Sequence, residues 1–272
     1  MYVLPYGQMS LWGENYCAPN GFSKLNIESN ILIYNLIIPI QNSCFETQLD
    51  CYAEKNKNSK VNKFKSSQRI GPHDIDILSI LTGSLLGDAY GEKHGNGTRI
   101  CFQQEEKNSS YLLWFHKILS DRGYCNKAIP KLTTRLGKKG KLRYLSRFKT
   151  YTYSSFNWIH EIFYSEGENK KIVPQIISEF LTPLALAIWI QDDGGKVSSG
   201  LKIATNSFTF EEVKFLAEVL RVKYKLKVSV IKANSKVNQY NLYISKYSME
   251  NLAYLIKPYL HTTMYYKLNG YI

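Results

Sequence analysis

Residues 75–90 set the strongest condition on how this chain can fold. Ile75, Ile77, Leu78, Ile80, Leu81 and Leu85 recur on all sides of a helix, so it must be buried nearly all round. Ser79, Gly83 and Gly87 fall four apart on one stripe with almost no side chain. Glycine in a helix interior costs about 1 kcal/mol relative to alanine, so the stripe needs a compensating contact. A second helix lying very close supplies that reason. The apolar rod then ends on a charged group, Asp88.

A partner of the same design lies about 100 residues on, in Leu181-Thr-Pro-Leu-Ala-Leu-Ala-Ile-Trp-Ile-Gln-Asp-Asp-Gly-Gly195. Thr182 is an N-cap, Pro183 takes the first helical position, and an apolar run with the small residues Ala185 and Ala187 ends in Asp192 and Asp193. If the two helices pack side by side and parallel about a pseudo-twofold axis, Asp88 and Asp193 emerge together at one end. Carboxylates crowded at helix C-termini repel each other and the helix dipoles, so divalent cations are expected between them. Leu81-Thr-Gly-Ser-Leu-Leu-Gly-Asp88-Ala and Leu186-Ala-Ile-Trp-Ile-Gln-Asp-Asp193-Gly resemble the repeated motif of the LAGLIDADG homing endonucleases. In both, the acid stands at the motif's eighth position. Ile188 and Asp192 depart from the pattern, standing where the first copy has Gly83 and Gly87.

Charge points to the same class of partner. The 272 residues carry a net charge of +13, yet residues 1–70 hold seven basic and five acidic side chains, leaving 28 against 17 for the rest. Arg122 to Lys149 contains ten basic residues and no acid, and Val219 to Met249 seven and no acid. One basic run is ordinarily a solvated face; two at matching places in a duplicated chain suit a polyanion. Five cysteines, an odd number without a C-x-x-C pair, argue against a disulfide framework or a zinc site and fit a reducing compartment. The run Ile31 to Ile40 is too short to span a membrane, so no membrane association is expected.

The opening Met1-Tyr-Val-Leu-Pro-Tyr-Gly-Gln-Met-Ser-Leu-Trp-Gly13 resembles a segment of mitochondrial cytochrome b, and the likeness stops at Glu14 as at an exon boundary. That resemblance implies an intron reading frame continued from an upstream exon and a protein of the mitochondrial matrix. Residues 1–70 are therefore read as an exon-derived leader and linker, 71–171 as repeat 1 and 172–272 as repeat 2. In repeat 1, hairpins are expected at Ala89–Lys93 with Arg99–Glu105 and at Lys131–Leu136 with Lys141–Tyr151, and helices at Ser109–Asp121 and Ser155–Tyr164. In repeat 2 the strands are expected at Lys196–Lys202, Lys202–Asn206, Lys225–Lys232 and Gln239–Ser245, and helices at Thr209–Lys223 and from Ser248. The fold class is α+β: tandem αββαββα repeats, two four-stranded antiparallel saddle-like sheets, and a central pair of parallel helices.

Alternation along the strands puts basic and polar residues on a free face: Arg99, Gln103, Lys131, Arg135, Arg143 and Arg147 in the first half, Lys202, Lys225, Lys227, Asn241 and Tyr243 in the second. A strand of about 8 residues spans about 26 Å, or about 8 base pairs. Two halves would read a double-stranded target on the order of 16–20 base pairs as a monomer. The resemblance implies hydrolysis of both DNA strands with Mg²⁺ or Mn²⁺ held by Asp88 and Asp193, the backbone of Gly87 and Asp192 being further candidate ligands. Lys171 and Lys267 match active-site lysines of the monomeric two-repeat members; alone, each reads as a solvated surface residue. The alternative is an RNA maturase that binds its host group I intron, and one protein can do both.

Overall fold

The structure, a computed structural model, describes residues 64–272 apart from 138–139, 168–169, 235–236 and 269. The cytochrome-like opening and most of the proposed leader lie outside them. Helix α1, Ile75–Leu86, starts at Asp74, whose side chain accepts from the Asp76 amide, and is buried from Ser79 through Leu86. The second motif helix, α5, Pro183–Asp193, starts at Thr182, whose hydroxyl accepts from the Ala185 amide at 3.1 Å.

Three contacts fix how α1 and α5 cross. Thr182 Oγ1 donates to Ser79 Oγ at 2.7 Å; a Cβ on Gly83 would land on the Ala185 carbonyl oxygen, and one on Gly87 would lie 2.5 Å from Asp192 Oδ2. Partner numbers rise together in both helices, so the helices are parallel and backbone meets backbone at Gly83. Ser79, Gly83, Gly87 and Ala185 are thus at the interface. Ala187 is fully buried and sits about 200° round α5 from Ala185, so helical phase turns it away from the contact with α1. Asp192 does not hold the helices apart, because Gly87 leaves the space its carboxylate fills.

Between α1 and α5 come β1 (Tyr90–His94), β2 (Gly97–Glu105), α2 (Ser109–Asp121), β3 (Leu132–Leu136), β4 (Leu142–Lys149), α3 (Asn157–Phe163) and the short α4 (Ile177–Phe180). After α5 come β5 (Gly194–Val197), β6 (Gly200–Ala204), α6 (Phe210–Tyr224), β7 (Val228–Asn234), β8 (Val237–Ile244) and α7 (Met249–Ile256). The two antiparallel sheets have equivalent orders, β1-β2-β4-β3 and β5-β6-β8-β7, so the αββαββα duplication is present. Both hairpins that leave the motif helices turn on two residues. In the first, Gly95 at φ +56° supplies the left-handed turn conformation.

Repeat 2 differs from its expected strands at two places. The β5–β6 turn falls at Ser198-Ser199, with Ser198 at φ +52°, so Val197 pairs with Gly200 and the first strand ends earlier than expected. Strand β7 starts only at Val228. Helix α6 carries a reciprocal Thr209–Glu212 capping box and runs to Tyr224; Lys225 then closes it at φ +54° with its amide on Leu220 O. Lys225 is therefore a helix-end residue and not part of the strand.

The core is continuous across both halves, with Trp189, Tyr111, Phe156 and Phe163 its largest fully buried side chains. It does not reach the outer edge of the first sheet. Leu132 and Leu136 are 50% and 72% exposed, and every residue of the edge strand β3 is exposed. No helix among the described residues is long and apolar enough to cross a membrane.

A methyl group at Gly83 would meet backbone and not a side chain that can rotate away. Gly83→Ala should therefore lower stability by about 1–3 kcal/mol despite alanine's better helix propensity. A urea unfolding midpoint equal to or above wild type would show that the helices do not meet there.

Candidate active site and nucleic-acid-facing sheets

Each motif helix delivers its acid where the chain leaves the helix. In the first half the Gly87 amide still bonds Gly83 O, but the Ala89 amide reaches back to Ser84 O, so the Asp88 amide has no helical acceptor. Asp192 of the second half provides one: its Oδ2 accepts from the Asp88 amide at 3.3 Å and its Oδ1 from the Tyr111 hydroxyl at 3.0 Å. The Asp88 side chain is exposed, and its Oδ2 accepts from Gln104 Nε2 at 2.8 Å. Asn108 Nδ2 donates to the other end of that amide, Gln104 Oε1, at 3.1 Å.

Three carboxylates thus gather at one end of the helix pair. Burial, then the Asp88 charge, pushes the Asp193 carboxyl up to about 7, against the pull of Lys171 and Lys267. Asp192 is raised well above the ordinary carboxylate range by burial, with Asp88 and Asp193 adding to it. Burial next to Asp192 likewise raises the Tyr111 hydroxyl well above its usual value. A cation at this end would remove the repulsion behind part of these shifts. All the candidate donors are oxygens, the kind that Mg²⁺ and Mn²⁺ prefer, so the donor chemistry fits the group.

Lys171 and Lys267 converge on the same end, and neither is a solvated surface residue. Lys171 Nζ donates to Gly87 O at 2.8 Å. Lys267, only 6% exposed, donates to Ile190 O at 3.2 Å, to Asp192 O at 3.1 Å and to Gln191 O. Each ammonium caps the C-terminus of its own half's motif helix, where a cation meets unpaired carbonyls and the negative end of the dipole. Burial lowers both lysines from their ordinary value, and the three aspartates work against that fall. The carbonyls of Gly87 and Asp192, candidate metal ligands, are therefore already acceptors of one hydrogen bond; a carbonyl has a second lone pair to offer.

Cross-strand pairing defines the free face of each sheet, since paired residues point the same way. In the first half Gln103 pairs with Arg147 and Arg135 with Arg143, and Arg135, Arg143 and Arg147 are exposed, as is Lys131 just before β3. Arg99 is not free: its Nε and Nη2 bond Glu92 at 2.9 and 3.0 Å, and Lys149 Nζ joins the same carboxylate at 2.8 Å. Hydrogen bonds from Arg99 and Lys149 hold the Glu92 carboxyl well below the usual range.

In the second half Lys202 pairs with Tyr243, both half-buried, and exposed Lys227 lies over the Tyr247 ring at 5.2 Å. Asn241, expected to be accessible, is only 5% exposed, and its Oδ1 has no hydrogen-bond partner among the described residues. It is a buried polar group and not a surface contact. Sequence reasoning passed over Gln104, Tyr111 and Glu92. Gln104 was within reach, since alternation from Gln103 turns it toward the helices, where an amide needs a partner. Nothing local marks the Tyr111 hydroxyl, whose acceptor is 81 residues away.

The family model described as the LAGLIDADG DNA endonuclease family matches residues 78–252. The chain is 40% identical to the cytochrome b mRNA maturase bI2 of Saccharomyces cerevisiae, over 100% of this chain and 69% of that protein. It is 48% identical to the protein of the same name from Debaryomyces hansenii, over 74% and 76%. Among solved structures it resembles the homing endonuclease I-WcaI bound to its DNA recognition sequence, with 26% identity, a TM-score of 0.67, and coverage of 80% of this chain and 96% of that one.

The capping role of the lysines has a consequence for stability. Lys267→Met should leave buried carbonyls at the end of α5 without a donor and cost about 1–3 kcal/mol. An ordinary surface lysine would change stability by no more than about 0.5 kcal/mol. A denaturant midpoint indistinguishable from wild type would return Lys267 to the surface.

Proposed function

Because the chain belongs to the LAGLIDADG DNA endonuclease family, we propose that it hydrolyses one phosphodiester bond in each strand of a specific duplex, with Asp88 and Asp193 as the two acids. The observation that carries this reading is the convergence of both acids and both capping lysines at the shared end of two parallel helices, beside two sheets with cationic free faces. Mg²⁺ or Mn²⁺ held by Asp88 and Asp193 would supply Lewis acidity toward the phosphoryl oxygens and the leaving 3′ oxygen. Gln104 holds the Asp88 carboxylate in one orientation. Lys171 and Lys267 place positive charge next to the acids, where negative charge develops on a phosphate. Exposed Lys131, Arg135, Arg143, Arg147 and Lys227 supply phosphate and base-edge contacts, and Arg99 enters already oriented by Glu92. Lys202 and Tyr243 would line the same groove. The twofold relation of the halves matches that of a duplex, so one chain would suffice for a target of about 16–20 base pairs.

Residues 1–13 give the target and the place: a mitochondrial cytochrome b sequence without its intron, cut where the exons join, near the codons for Leu11, Trp12 and Gly13. The domain division at residues 70 and 171 is kept within this reading, with the leader contributing little to the site. A second activity, assisting the splicing of the host intron, is favoured by the match of the whole chain to a protein named as a cytochrome b mRNA maturase.

Asp88→Asn and Asp193→Asn should each keep duplex binding and slow double-strand cleavage of the joined-exon DNA by at least about 10²–10³-fold. Binding by gel shift and cleavage with Mg²⁺ measure the two separately. Cutting by either variant at the wild-type rate removes that acid from the mechanism.

A further inference from the structure

The two halves are unequal where their acids are held. The residue before the acid is Gly87 in the first half and Asp192 in the second, and they fit one another: the Asp192 carboxylate occupies the space a side chain on Gly87 would need. From there it accepts from the Asp88 amide across the helix interface and from Tyr111 at the start of α2. Tyr111 is itself held, in T-shaped contact with Phe115 and with its ring 6.2 Å from that of His261, in the C-terminal segment of the second half. Among the described residues no equivalent clamp reaches back to Asp193, and Gly87 has no side chain with which to make one.

We propose that Asp192 is a positioning residue for the first half's acid: a half-buried strut that fixes the backbone at Asp88 from across the pseudo-twofold axis, so that the two strand-cutting sites depend on it unequally. This rests on the reading of Asp88 and Asp193 as the acids of two separate cuts. The strut works through hydrogen-bond acceptance by an oxygen at that point. Asparagine keeps the brace on the first half's acid, by taking the Asp88 N–H on its carbonyl oxygen, while its amide donates to the Tyr111 oxygen in place of the bond that Tyr111 now donates. Alanine cannot. The helix itself survives either change, since the Lys267 cap acts on backbone carbonyls.

The experiment uses the full chain and a duplex carrying the joined-exon sequence with each strand labelled, so that the two cuts are timed separately. Asp192→Ala should bind the duplex as wild type does, cut one strand about 10- to 100-fold more slowly, as expected for a reacting group displaced by a fraction of an ångström to 1 Å, and leave the other strand's rate within about threefold. Nicked DNA should accumulate. Asp192→Asn should cut both strands near the wild-type rate, and Tyr111→Phe, which removes one of the two braces, should fall between them. If Asp192→Asn is as slow as Asp192→Ala, the negative charge and not the hydrogen-bonded strut is what matters. If Asp192→Ala slows both strands alike, or neither, Asp192 does not serve one site. Either result overturns the proposal. A wild-type protein that binds but does not cut would instead remove the nuclease reading on which the proposal depends.

Discussion

Everything in this molecule is arranged around one approach of backbone to backbone, Gly83 against the Ala185 carbonyl. It fixes the parallel packing of α1 and α5, and with it the end at which both acids emerge. Had the small residues been placed on another stripe, the helices would cross with a different register and the acids would separate. The helix interior gives up about 1 kcal/mol of intrinsic propensity at each glycine, and the tight apolar contact offsets it. What the packing produces is unfavourable at the other end: three carboxylates facing two helix C-termini. The two lysines relieve part of this by capping those termini, and the rest is visible in the raised Asp193 and Asp192.

That unrelieved charge links packing to chemistry. A site that holds its acids against their own repulsion has free energy available for binding a cation and the phosphates that come with it. The surrounding contacts keep the geometry from relaxing away. Gln104 is braced by Asn108 on one side and holds Asp88 on the other, and Asp192 spans the interface to the Asp88 amide.

The architecture was legible because its signals are local and repeated. Glycine spacing, caps and a duplicated order of helices and hairpins survive without tertiary information, and helix α2 falls at its expected bounds, Ser109–Asp121. Errors arose where a tertiary contact decides. Lys225 reads as the first residue of an alternating strand, but the Thr209–Glu212 box lengthens α6 until a left-handed lysine ends it. Asn241 alternates correctly onto the free face and is nevertheless buried there. Ala187 is small and lies in the motif, yet helical phase turns it away from α1. At the helix ends, the residues that converge stand out singly in the sequence and their pairings do not. Asp192 looked like a departure from a small-residue pattern, and only its fit against Gly87 shows why a large polar side chain can stand there.

The central claim is that the ends of the two helices bind divalent cations through Asp88 and Asp193, one acid for each cut. Anomalous diffraction from crystals of the protein with its duplex and Mn²⁺ tests this directly. The account predicts anomalous peaks at roughly 2.0–2.3 Å from carboxylate oxygens of both Asp88 and Asp193 and in contact with phosphate oxygens of the duplex. Manganese bound elsewhere, with both carboxylates free of metal in a complex that cleaves on warming, would contradict it.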